Sequence, residues 1–202
     1  MFYLEGNIYA SFQHTDCVLH LKKDTFELLP LPSSLRNNNF LLKKYYPGTF
    51  FQFGRPFDMH DSSEGIRAVA YVKGDIWIAN EDLEGIAIVD IPTGMITSIV
   101  MIPCPIGLHY DKSSNLVFVS SKVKHWQGAV YGVDPDRLRI VATFTTGRMS
   151  HPTGIVTHGD SLFVVEQALG EIYEFSIKKQ EFMGKIAKNL PREIEQIIMS
   201  DC

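Results

Sequence analysis

The sequence predicts an all-β fold, a β-propeller of about four four-stranded antiparallel blades. Three observations point to it. Segments of similar pattern recur about every 40–45 residues, the length of one propeller blade. Within each segment, short runs rich in β-branched and aromatic residues alternate with turns of Gly, Pro, Asp and Asn. Many of these runs are apolar at consecutive positions, as in Ile76–Ala79, Leu116–Val119 and Leu162–Val165. That pattern suits sheets covered on both faces, whereas a sheet with one wet face alternates more cleanly.

The chain opens with a partial repeat. Gly6–Tyr9 matches a second strand, Cys17–Leu21 a third and Phe26–Leu31 a fourth, with Lys23–Asp24–Thr25 as the turn. No first strand is expected before Gly6. Residues Ser33–His60 break the period and are expected to form an insertion between the first and second repeats. They carry Phe40, Tyr45, Tyr46, Phe50, Phe51, Phe53 and Phe57 among Arg36, Lys43, Lys44 and Arg55. Basic residues interleaved with aromatics could stack nucleic-acid bases, but the expected role is packing the insertion onto the blades.

Three full repeats follow, starting at Glu64, Pro105 and Pro152. Their first turn residues, Asp75, Asn115 and Asp160, lie 40 and 45 apart, and their loop glycines, Gly85, Gly128 and Gly170, lie 43 and 42 apart. Pro92–Thr93–Gly94 and Pro135–Asp136 supply hairpin turns, Pro by fixing φ and Gly by accepting positive φ. Pro191–Ile194 aligns with Pro152–Ile155, so Glu193–Met199 is expected to be an inner strand. It would pair with Asn7–Phe12, and the C-terminal strand would complete the first blade. The other arrangement open at this point is a fragment of a larger, six-bladed propeller. Residues 1–202 are accordingly taken as one propeller domain or a piece of one.

Composition narrows the function classes. The chain has 202 residues, 19 Lys+Arg against 23 Asp+Glu, and a net charge of −4. A general nucleic-acid binder carries a basic surplus, so nucleic acid is not an expected partner. No run reaches the ~18 apolar residues of a membrane span, and the first residues lack the basic and apolar regions of a signal peptide. Cys17, Cys104 and Cys202 are scattered, with no CxxC pair, and are expected to be reduced thiols in a soluble cytoplasmic protein. Cys17 and Cys104 lie in apolar, strand-like contexts and should behave as small hydrophobes. No GxSxG, HExxH, P-loop or GxGxxG motif is present. His14, His20, His60, His109, His125, His151 and His158 are dispersed, as loop and strand histidines are.

The repeat resembles those of the NHL and SMP-30/gluconolactonase-like propellers. The resemblance rests on Glu64–Gly65 with Asp75–Asn80, on Gly85–Asp90 before Pro92–Thr93–Gly94, and on His151–Ile155 with Gly159–Val165. It implies a six-bladed relative, and in the lactonase branch a divalent cation such as Ca held by a Glu, an Asn and an Asp. Glu64 stands in the Glu place, although Ile66 replaces the motif's Pro. The Asn place falls on Ile106 and Thr153, and no Asp clearly takes the third place. Such a set is a poor home for a hard cation, so no cofactor is expected.

Blade geometry locates a working surface. The loops from strand two to three and from strand four to the next blade share one rim, and loops held by a rigid scaffold are where binding concentrates. That rim gathers Glu64, Asp82, Lys124, His125, Trp126, His151, Glu166 and Arg192. Trp126 in a polar loop is the residue most like an interface anchor. The expected function is a non-enzymatic binding or scaffold module that contacts proteins through this rim, with further blades or a partner chain possible. The alternative is a metal-dependent hydrolase or lyase of the SMP-30/NHL kind, with Glu64 as a metal ligand.

Overall fold

The structure is a computed structural model. It describes residues 1–12, 17–25, 27, 49–52, 65–81, 83–123, 127–192 and 194–197. The described residues form four four-stranded antiparallel sheets and no helix, a β-propeller-like fold. The first sheet contains β1 (Phe2–Leu4), β2 (Asn7–Phe12), β3 (Cys17–Lys22) and β4 (Thr49–Gln52). The second contains β5 (Ile66–Val72), β6 (Asp75–Asn80), β7 (Gly85–Asp90) and β8 (Met95–Met101). The third contains β9 (Pro105–Asp111), β10 (Leu116–Ser121), β11 (Ala129–Asp134) and β12 (Arg139–Phe144). The fourth contains β13 (Pro152–His158), β14 (Ser161–Glu166), β15 (Glu171–Ser176) and β16 (Glu181–Ala187). In every sheet the strands neighbour one another in chain order. The chain divides into two compact units, residues Met1–Met101 and Ile102–Cys202, each holding two sheets.

Burial within a sheet follows strand position. In β6 and β7 nearly every residue is buried, on both faces, as consecutive apolar residues require. In the fourth strands β8, β12 and β16 most residues are exposed. In the first unit Ile66, Ile76, Ile78, Ala87 and Val89 pack with Tyr9 and Val18 of the first sheet. In the second unit Phe118, Phe144 and Phe175 meet edge to face, with ring centroids 5.8 and 5.9 Å apart, and Met149, Leu162 and Tyr173 close around them. Each fully buried side chain of this size contributes roughly 1.5–3 kcal/mol.

Every fourth strand carries a β-bulge. One residue has no opposite number on strand three: Phe50, Thr97, Val141 and Met183, with a second such residue at Ile186. At Thr97 the hydroxyl donates to the Ile88 carbonyl at 3.2 Å. A bulge twists an edge strand and protects it from pairing with another chain. The bulges thus sit where these sheets expose apolar side chains such as Ile99, Val141 and Met183.

Four expectations are corrected. The first sheet has a first strand of its own, β1, joined to β2 by Glu5 and Gly6 at φ 47° and 82°. Two consecutive positive φ angles make a type I′ hairpin turn, which Gly favours. Lys73 and Gly74, at 51° and 107°, repeat it between β5 and β6. The fourth strand of that sheet is β4, pairing Cys17–Leu19. It comes from within the stretch expected to be an insertion; of Phe26–Leu31, residue 26 and residues 28–31 lie outside the described residues, as do 33–48 and 53–60. Finally, Ile194–Ile197 is not a strand, and Asn7–Tyr9 pairs with Phe2–Leu4 rather than with the C-terminal segment. Cys104 is also displaced from its expected strand context: it precedes β9 in a turn, half-buried, at φ 39°.

Candidate functional site

At the rim end of the inner strands the second, third and fourth sheets share one construction. The residue after strand two donates its N–H to the carbonyl of the residue just before strand one. The pairs are Glu81 to Gly65 at 3.0 Å, Lys122 to Cys104 at 3.1 Å and Gln167 to His151 at 3.0 Å. Just inside, each inner strand bulges against strand two, at Arg67, at Ile106–Gly107 and at Thr153–Gly154. Such bulges re-aim side chains at a sheet end.

A side chain at the end of strand two reinforces each connection differently. Asn80 Oδ1 accepts the Leu83 N–H at 2.8 Å. The Ser121 hydroxyl donates to the Pro103 carbonyl at 2.5 Å. The Glu166 carboxylate, with no exposed surface, accepts the N–H groups of Ser150 at 3.2 Å and His151 at 3.1 Å. Burial pushes the Glu166 carboxyl above the usual range; its backbone hydrogen bonds oppose that, and Glu171, directly across the strand pair, adds to it. Glu171 is itself held low. Burial raises it, but Lys185 at 2.7 Å and the Tyr173 hydroxyl at 2.7 Å outweigh that effect. In the first unit Glu81 is 4% exposed and lies 3.6 Å from the Arg67 guanidinium.

Of the residues expected at the rim, His151, Glu166 and Arg192 are described. His151 is half-buried beside β13, Glu166 is enclosed as above, and Arg192 is exposed. The structure brings His151 and Glu166 together through the backbone N–H of one and the carboxylate of the other. Glu64, Asp82, Lys124, His125 and Trp126 lie outside the described residues. Ile106 and Thr153, which take the Asn place of the lactonase motif, are buried at 7% and 3% exposure, and the Thr153 hydroxyl has no hydrogen-bond partner among the described residues. Among the described residues no group of three or more His, Cys, Asp or Glu is placed to hold a metal ion.

Acidic residues at the opposite ends of the strands cap turns. Asp90 accepts from Thr93 N–H and hydroxyl, and Asp160 from the Ser176 hydroxyl and the Lys178 N–H. Asp111 accepts from both Ser113 and Ser114; burial pushes its carboxyl up, but these hydrogen bonds hold it below the usual range. This is the ordinary turn-making role of Asp. His109, on β9, reaches across to β13, its Nε2 2.8 Å from the Thr157 hydroxyl, and burial lowers its pKa against the pull of Asp111.

Three small-residue contacts, which sequence reasoning missed, lock the second unit. The Ser120 hydroxyl accepts the Gly107 N–H and donates to the Thr153 carbonyl, both at 2.8 Å. A β-carbon on Gly107 would collide with that same carbonyl. The signal available was the parallel Pro105–Ile106–Gly107 and Pro152–Thr153–Gly154.

No family model matches the chain, and no curated protein matches it. Solved structures do. The computationally designed Ika8 protein is similar over 99% of this chain and 52% of its own, with a TM-score of 0.63 and 13% identity. A structure of a nidogen/laminin complex is similar over 89% of this chain and 59% of the other, with a TM-score of 0.60 and 12% identity. Hydrazine synthase of Kuenenia stuttgartiensis matches over 69% of this chain and 40% of its own, with a TM-score of 0.55 and 16% identity. At these identities the likeness is one of fold. The chain spans about half the length of the Ika8 protein.

Proposed function

We propose that this chain is a non-enzymatic binding module of the propeller type that holds protein partners on the rim beside the inner strands. The observation that carries the reading is the use of Glu166. The rim carboxylate most enclosed by protein is engaged by the backbone N–H groups of Ser150 and His151, so it braces a loop instead of facing a substrate. The three repeated backbone clasps fix the loop bases in the same way, and a stiff base under variable loops is the arrangement that binding surfaces use. A nidogen/laminin complex among the structures of similar fold supports a protein partner.

The kinship to the NHL and SMP-30 propellers belongs to the same proposal, without their cation chemistry. The discriminating experiment is a calcium titration followed by thermal unfolding, alongside hydrolysis of a simple sugar lactone. A ligand that binds only the folded state raises its melting temperature by mass action. The binding module predicts no calcium-dependent rise and no hydrolysis. A rise that disappears in Glu64→Gln, together with lactone turnover, would establish the hydrolase instead.

A further inference from the structure

We infer that His109 and Thr157 form an acid-released latch in the second unit: the neutral imidazole ties β9 to β13, and protonation lets the turn ends of the two strands part. The inference does not depend on the rim reading. Its first support is geometric. The His109 ring reaches across to the fourth sheet, its Nε2 2.8 Å from the Thr157 hydroxyl oxygen. In the strand pairings His109 stands opposite Phe118 and Thr157 opposite Leu162. Phe118 and Leu162 are fully buried in the core that the two sheets share, whereas His109 and Thr157 are half-buried. The polar pair thus closes the seam over that core. At the rim end the same seam is held without a titratable group, by the Ser120 hydroxyl on the Thr153 carbonyl at 2.8 Å and by Gly107 packed against that carbonyl. One end of the seam is indifferent to pH, and the other hangs on an imidazole.

The second support is the charge around the ring. A neutral imidazole has one N–H and one lone-pair nitrogen, and a hydroxyl both donates and accepts, so the pair bonds in either tautomer. A protonated ring keeps only donors and adds a charge that burial penalises. Little is placed to compensate it. Strand β10, paired with β9, has no titratable side chain. Strand β13 has His158, exposed at its last position, and β14, beside it, has Glu166 at the rim end. On β9 itself Tyr110 alternates to the other face, and its hydroxyl donates to Asn115 Oδ1 at 3.1 Å. Asp111 alone among the described residues pulls toward protonation, and its carboxylate already accepts from Ser113 and Ser114. Burial outweighs that pull and lowers the His109 pKa.

A His whose pKa is lowered in the joined state stabilises that state fully above its usual value of about 6.5. The stabilisation declines as pH falls below this value and levels off below the lowered one. One proton sets a ceiling of about tenfold per pH unit on the ratio of parted to joined strands. Weakly acidic conditions therefore open the seam from the turn ends, with the Ser120 bridge to Thr153 as the hinge. His suits this role because its charge changes between about pH 5 and 8.

The test measures thiol labelling in a background with Cys17, Cys104 and Cys202 replaced by Ser. Leu162→Cys reports the seam, and Val117→Cys, buried on the other face of β10, reports the rest of that sheet. Labelling by a maleimide, divided by the rate of the same variant in urea at the same pH, is followed from about pH 7.5 to about pH 5. The expected result is a relative rate for Leu162→Cys that rises by up to about tenfold per pH unit, beside a flat profile for Val117→Cys. Adding His109→Gln should abolish the rise, and adding Thr157→Val should raise the rate already at neutral pH. A flat Leu162→Cys profile, an equal rise in both reporters, or a rise that persists with His109→Gln would overturn the proposal. A second readout needs no reporter: the urea stability of the unaltered protein minus that of His109→Gln should fall as pH falls. A difference independent of pH would likewise overturn the latch.

Discussion

Glu166 shows how much one side chain can organise at the rim. Its carboxylate satisfies the backbone N–H groups of Ser150 and His151 in a place without water-exposed surface. Glu166→Ala strands these donors, and each buried group left unsatisfied costs about 1–3 kcal/mol. We expect a loss of about 2–4 kcal/mol, measured by urea unfolding at neutral pH. The same residue gives a pH signature. Because burial raises its folded-state pKa above the ordinary carboxylate value, its contribution is fully present below that ordinary value and is lost as pH rises through the raised one. Glu166→Gln should flatten this fall in stability across the weakly acidic range. An unchanged pH profile in the Gln variant would show that Glu166 does not titrate there. Gly107 offers a steric counterpart. Gly107→Ala forces a methyl group into the Thr153 carbonyl, and overpacking of this kind costs roughly 1–3 kcal/mol.

At the scale of elements, the strands with strong local signals were legible in the sequence. Ile76–Ala79, Leu116–Val119 and Leu162–Val165 lie within β6, β10 and β14, because consecutive apolar residues between turn residues leave little else to form. Two strands escaped for identifiable reasons. Phe2–Leu4 is three residues long, and its signature is the Glu5–Gly6 turn rather than its own pattern. Thr49–Gln52 lies far along the chain from its partner β3, so the repeat spacing that found the other fourth strands could not find it. At the rim, role was not readable. Glu166 is expected in the loop after Leu162–Val165 and is the last residue of β14; whether its carboxylate faces solvent or backbone N–H groups depends on a neighbouring connection that no local pattern encodes. An element-level prediction follows from Ser120, whose hydroxyl joins β9 to β13. Ser120→Val removes an acceptor for Gly107 N–H and a donor to the Thr153 carbonyl. We expect faster amide exchange at Gly107, with β11 and β12 unaffected.

At the scale of the whole molecule, one plan is used repeatedly: four antiparallel sheets, each with a bulged fourth strand, and in the second, third and fourth with largely buried middle strands. Acidic residues cap turns at one end of the strands, while backbone clasps and the Glu166 carboxylate brace loops at the other. Within each unit the two strand ends thus differ in chemistry, and the clasped ends are the ones proposed to bind.

The most direct measurement compares partner capture by two sets of charge variants that unfold at the same temperature as the unaltered protein. One set alters the proposed rim, Trp126→Ala with Arg192→Glu; the other alters the opposite end, Lys112→Glu with Lys179→Glu. Proteins bound by the immobilised chain are quantified for both sets. The account predicts that the rim variants lose the captured proteins, by at least tenfold for an anchor worth about 1.4 kcal/mol or more, and that the opposite-end variants keep them. Equal capture by both sets, or loss confined to the Lys112 and Lys179 variants, would contradict it.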